Sequence, residues 1–184
     1  MLQHNIIEIL PLLSLSKANG PSYSVGRLCE SLTLFDLDIT LLNCGNSHTS
    51  SEYLFLKSFP LGIGPQRLCR SPLMYEWLSQ GAIKSKISLI HSHGLWSMPN
   101  IYASQIGKKY LIPTVVSPRG SLALWAFQSG SFIKRLFWPI YQKAALKNAV
   151  CLHATAKSEY LDIRRMGFTQ PVARSEEHTS ELQS

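Results

Sequence analysis

Two histidines and an arginine, each beside a glycine, are the residues of this chain best suited to chemistry. They stand in His91-Ser92-His93-Gly94 and Ser117-Pro118-Arg119-Gly120. Histidine exchanges protons and hydrogen bonds near neutral pH. An arginine fork clamps phosphate or carboxylate, and a glycine next to it lets a ligand approach the backbone. A third candidate is the turn Asn19-Gly20-Pro21-Ser22, which leads into a helical pattern. A glycine turn opening a helix presents free N–H groups and a positive dipole end to an anion. His91-x-His93 and Cys151-x-His153 each put two metal-ligand types on one face of a strand, but no further Cys or His pair follows at a zinc-site spacing, so no metal is expected. Other chemistries lack their signatures. No G-x-S-x-G or G-x-x-x-x-G-K-[ST] occurs, and Gly62-Ile63-Gly64 runs into Pro65 without a third glycine. A paired-carboxylate site is not expected either, since residues 81–173 hold only Glu159 and Asp162.

The histidine and arginine motifs sit at the ends of two short apolar runs, Ile87–His91 and Ile112–Ser117. Between them Pro99 opens a helical pattern with Ile101, Ile106 and Tyr110 on one side and Lys108 and Lys109 facing out. Strand, helix, strand is a βαβ unit, and such units build parallel sheets whose ligands lie beyond the carboxyl ends of the strands. Both motifs therefore face one crevice. The rest of the chain repeats the alternation. Strands are expected at Asn5–Leu13, Leu37–Asn43, Tyr53–Phe59, Val150–Ala154 and from Pro171 onward, and helices at Tyr23–Thr33 and Ser71–Ala82, the latter capped by Ser71 with Pro72 in its first turn. A last helix follows Thr155 and ends at Gly167. The aromatic-rich segment Leu122–Tyr141 is helical until Pro139 kinks or restarts it. The fold class that follows is α/β, a Rossmann-like parallel sheet with helices on both faces.

Apolar residues make up 45% of the chain and charged residues 16%, a globular composition with no run long enough to span a membrane. The apolar N-terminus is broken by Glu8 and Pro11 and lacks a basic lead-in, so it reads as a core strand rather than a signal peptide. Four scattered cysteines read as reduced thiols and point to the cytoplasm. Charge is uneven: residues 1–80 carry 5 basic and 6 acidic groups, residues 81–173 carry 12 and 2. A basic half implies an anionic partner. Residues 174–184 (RSEEHTSELQS) stand apart, matching residue for residue the translation of a short-read sequencing adapter. The expected organisation is one domain, residues 1–173, followed by an adapter-derived, non-native tail, with the natural chain continuing beyond residue 173.

NGPSYSV near the start, then IHSHGLW, VSPRGSL and LHATAKSE followed by a helix ending RRMGF, occur in an order that resembles the N-terminal half of family 4 glycosyltransferases. The resemblance runs from about Asn5 to Ala173 and implies half of a GT-B fold, two Rossmann-like domains facing across a cleft. It implies that Asn19, Gly20 and Ser22 match the glycine-rich first loop, and that His93, with His91 as second choice, matches the histidine reaching the transferred sugar. By the same resemblance Arg119 and Gly120 line the cleft, and Glu159 is the acid of a T-x-x-x-E segment with a structural or positioning role. The implied reaction is transfer of a sugar, of the hexosyltransferase type, from a nucleotide sugar with retention. No cofactor or metal is expected; the nucleotide sugar is a co-substrate whose groups are bound mainly by a C-terminal domain. The chain is then an acceptor-binding half, inactive alone, acting on a glycan or lipid-linked acceptor. The basic segment Lys134–Lys147, with Trp125, Phe127 and Trp138, fits peripheral contact with anionic lipid at the inner face of the membrane. Competing readings are another GT-B enzyme, such as a sugar-nucleotide epimerase, and a stand-alone anion- or RNA-binding module. No nucleic acid is expected, because no RNA-binding motif with interleaved aromatics is present.

Overall fold

A computed structural model describes residues 5–12, 20–35, 37–45, 54–124 and 136–175. Seven strands form one sheet: β1 (Asn5–Ile9), β2 (Asp38–Cys44), β3 (Leu56–Phe59), β4 (Leu89–His93), β5 (Thr114–Ser117), β6 (Cys151–Ala154) and β7 (Val172–Arg174). Their order is β3-β2-β1-β4-β5-β6-β7, and every pairing is parallel. The chain builds outward from β1 to β3, then crosses back and builds the other way from β4 to β7. The strand order therefore reverses between β1 and β4, where a parallel sheet opens a crevice at its carboxyl edge.

Helices cover both faces, as expected. On one face α1 (Gly20–Thr33) packs Val25 and Cys29 against Leu10, Ile39, Leu41 and Leu56. On the other, α2 (Pro72–Ile83) and α3 (Met98–Tyr110) pack Met74, Leu78, Ala103 and Ile106 against Ile7, Ile9, Leu42 and Ile90. Leu41 and Leu42 serving opposite faces is the period-two alternation of a strand buried on both sides. A third cluster holds α4 (Lys143–Asn148) and α5 (Lys157–Arg165) to β5 and β6 through Leu146, Ile163, Val116 and Leu152.

Several boundaries differ from those read in the sequence. Strand β1 ends at Ile9: Leu10 N–H still makes the ladder bond to Leu42 O, and the chain bends at Pro11. Helix α1 starts at Gly20, three residues early, since Pro21 fits a first turn that has no use for its missing N–H. Strand β4 is shifted to Leu89–His93, its register set by Glu8 opposite His91. Ser71 caps α2 as expected, accepting from Met74 N–H at 3.4 Å. Pro139 does not break its helix but sits in a π-helical turn, Trp138–Gln142, that runs straight into α4. Thr155 is not the N-cap of α5, which is Ala156. Arg174, placed with the tail on sequence grounds, pairs with Ala154 as the last residue of β7. Residues 176–184 and Trp125, Phe127 and Lys134 lie outside the described residues. Among the described residues no helix is long and apolar enough to cross a membrane.

Candidate active site

Where the strand order reverses, between β1 and β4, a buried carboxylate is flanked by two histidines. Glu8, in the middle of β1, has a side chain only 2% exposed. Its neighbours across the ladder are His91 and, two residues on and on the same face, His93. His93 Nε2 lies 2.6 Å from Glu8 Oε2, and His91 Nδ1 lies 3.1 Å from the same oxygen. Burial alone would push the Glu8 carboxyl up. The hydrogen bonds and positive charge of the two histidines outweigh it and hold the group down to about 2. His93, with 0% exposure, is pushed down to about 4, chiefly by burial and further by the charge of His91 and Arg119.

Arg119 joins this cluster from the loop after β5. Its Nη2 donates to His93 Nδ1 at 3.2 Å, and its Nη1 donates to Ser24 Oγ on α1 at 3.2 Å. Its Nε is buried without a partner among the described residues. Arg119 and Gly120 both adopt left-handed backbone, with φ of 54° and 74°. That conformation is unfavourable for arginine, and the surrounding contacts must hold it in place. Glu159, the first-turn acid of α5, supplies one such contact: its Oε1 accepts from Gly120 N–H at 2.7 Å. Its Oε2 accepts from the N–H and hydroxyl of Thr155 at 2.7 and 2.9 Å. Glu159 therefore fastens the Arg119 loop to the start of α5.

Gly94 follows β4 in left-handed backbone and donates its N–H to Ser117 O at 2.8 Å, binding the two motif loops together. Asn100 of α3 locks β4 from the other face, donating to Ser92 Oγ and His93 O. The structure thus brings His91, His93, Arg119, Gly120 and Glu159 into one connected group. Ser22 is buried in the first turn of α1, two residues before Ser24, while Gly20 is exposed at the start of that helix. Asn19 lies outside the described residues.

Sequence reasoning missed Glu8, which read only as an interruption of an apolar strand. The signal was present: a lone charge in a strand buried on both faces must find partners, and β4 offers two histidines. It also missed His153, weighed only as a metal ligand with Cys151. His153 Nδ1 lies 2.8 Å from Ser117 Oγ, which lies 2.8 Å from His91 Nε2.

Glu8, His91 and His93 bring three potential metal-ligand atoms within 4.8 Å of one another. The surroundings do not suit an ion. A metal-bound histidine donates its second N–H to an acceptor. The second nitrogen of His93 instead faces the donor Arg119, which accepts nothing. The cluster is built as a hydrogen-bonded unit.

An all-parallel sheet with helices on both faces and a strand-order reversal is the architecture of a Rossmann-like domain. The sequence family described as Glycosyl transferase 4-like domain matches residues 19–174, and the chain belongs to that family. No curated protein matches it in sequence. Among solved structures, sucrose-phosphate synthase from Thermosynechococcus elongatus aligns with a TM-score of 0.65 and 16% identity, over 93% of this chain and 47% of that one. A Listeria monocytogenes protein described as a UDP-N-acetylglucosamine 2-epimerase aligns with a TM-score of 0.61 and 11% identity, over 92% and 43%. Phytolacca americana UGT2, solved with UDP-2fluoro-glucose and pterostilbene, aligns with a TM-score of 0.52 and 9% identity, over 94% and 53%. The chain spans about half the length of these proteins and shares their Rossmann-like fold.

Proposed function

We propose that this chain is the acceptor-side half of a retaining glycosyltransferase of the hexosyltransferase type, which moves a sugar from a nucleotide sugar to a glycan or lipid-linked acceptor. The observation that carries the reading is the Arg119–His93–Glu8 unit at the strand-order reversal, in a chain of the glycosyl transferase 4-like family. His93 is the residue assigned to the transferred sugar. Its Nδ1 carries a lone pair, because Arg119 only donates to it. A sugar hydroxyl donates to the same lone pair once Arg119 swings away, and the freed guanidinium then meets the negative charge of a donor phosphate or a leaving group. The first turn of α1 and the Arg119–Gly120 loop flank that position, as expected of groups that bind an acceptor. No step of this scheme calls for a metal.

Donor binding is assigned to a second domain, so the purified chain is expected to transfer no sugar. Incubation with labelled nucleotide sugars and glycan acceptors tests this directly. Labelled product formed by this chain alone would overturn the half-enzyme reading. The same reading places the acceptor near anionic lipid. Exposed Leu136 and Ile140 lie along one stripe with exposed Lys143 and Lys147, giving apolar and basic groups to a single surface.

A further inference from the structure

We propose that Glu8 is the positioning residue of this site: as the common acceptor of two hydrogen-bonded branches, it fixes the tautomers of three histidines and, through His93, the place of Arg119. The first branch is short. Arg119 has no acceptor and Glu8 has no hydrogen to give, so the neutral His93 ring between them has one permitted arrangement. Its Nδ1 accepts from Arg119 Nη2, and its Nε2–H donates to Glu8 at 2.6 Å. The second branch crosses three strands. His91 Nδ1–H donates to Glu8, so His91 Nε2 accepts from the Ser117 hydroxyl at 2.8 Å. The Ser117 oxygen then accepts from His153 Nδ1–H at 2.8 Å. The outer nitrogen of His153 is left to accept from Ser175 Oγ at 2.7 Å. Ser175 lies in the adapter-like stretch, and water fills that exposed role equally well. Every hydrogen in both branches points toward one carboxylate on β1, and aligned bonds of this kind reinforce one another.

The chain of donors makes a specific demand on Glu8→Gln. The glutamine oxygen must face His93, because Arg119 forbids the other His93 tautomer. The amide nitrogen then occupies the place of Oε1, 3.3 Å from His91 Nδ1, and donates where the carboxylate accepted. His91 Nδ1 then faces an amide hydrogen at the place of Oε1 and the amide oxygen at the place of Oε2, 3.1 Å away, so its single tautomer is no longer imposed, and the direction of the Ser117 hydroxyl and the tautomer of His153 are released with it. A substitution on β1 thus loosens a histidine on β6 that it does not touch. A residue serving only to pack the core has no such effect.

Long-range proton–nitrogen correlation spectra of the histidine side chains at pH 7.5 test this in the whole chain. In the wild type, His93 is expected with its hydrogen on Nε2, and His91 and His153 with theirs on Nδ1. In E8Q, His93 is unchanged while His91 and His153 each lose their single tautomer. In Glu8→Leu, which offers no acceptor, His93 loses its single tautomer and the separate Nη1 and Nη2 signals of Arg119 merge as its rotation is freed. A wild-type His93 carrying its hydrogen on Nδ1 overturns the proposal whether or not either variant folds, and so does an E8Q chain in which His91 keeps its hydrogen on Nδ1 alone. The proposal gives Glu8 a role through the reading of Arg119 as a cleft residue. The spectra need no substrate, so their failure is distinct from a failure to bind sugar.

Discussion

Glu8 and His93 carry opposite proton preferences in the same crevice, and both make the fold sensitive to acid. The folded protein holds the His93 pKa below its ordinary value of 6.5, at about 4, so an unfolded chain binds a proton there more readily. Stability from this group is complete above about pH 6.5 and is lost as the pH falls toward 4. Glu8 is likewise depressed, from 4.5 to about 2, so its contribution is complete above pH 4.5 and is lost as the pH falls toward 2. The two losses have the same sign and follow one another. Calorimetry between pH 8 and 4 is expected to show a flat melting temperature at the upper end and a progressive fall below about pH 6.5, steeper in the wild type than in E8Q below pH 4.5. At this scale the sequence was most legible where chemistry is written in residue type. His91, His93 and Arg119 stand out by residue type and Glu159 by the family resemblance, and the four form one connected group. What stayed hidden was direction. Spacing along β4 tells that two histidines share a face, but not that the neighbouring strand β1 places a carboxylate against them, because register is decided by the whole sheet.

Between elements, the Arg119 loop depends on α5 for its shape. Glu159 takes the Gly120 N–H and both donors of Thr155, so it ties the end of β5 to the loop after β6. Glu159→Ala removes the acceptor from these part-buried donors, at a cost of about 2 kcal/mol for the set. A urea titration is expected to show that loss of stability, and a change below about 0.5 kcal/mol would show that the clamp contributes little. The sequence predicted an acid in the first turn of this helix but credited the cap to Thr155. Glu159 reaches back past the N-cap, Ala156, to the backbone and hydroxyl of Thr155, the residue before the cap. Element type was legible throughout, because periodicity of apolar residues is a local property. Element ends were less so. The start of α1 and the shift of β4 were decided by a proline that suits a first turn and by pairing with β1, and only the second of these is absent from the local sequence.

At the scale of the molecule, the strand order brings the candidate residues together. Reversal between β1 and β4 puts Glu8 beside His91 although 83 residues separate them in the chain. It also sets the basic half, β4 onward, on one side of the sheet's reversal and the neutral half on the other. The exposed stripe of Leu136, Ile140, Lys143 and Lys147 belongs to that basic half. Flotation of the chain with vesicles is expected to rise with anionic lipid content and to fall with added salt. Flotation equal on neutral vesicles would remove membrane contact from the proposal. The central claim is that the crevice receives a sugar acceptor without a donor domain. Titrating the isotope-labelled chain with glycans and, separately, with a nucleotide sugar tests it most directly. The account predicts that an acceptor glycan shifts the backbone signals of Ser22, Gly94 and Gly120, while the nucleotide sugar alone leaves them nearly unmoved. Strong shifts of these signals by the nucleotide sugar, with none by any glycan, would contradict it.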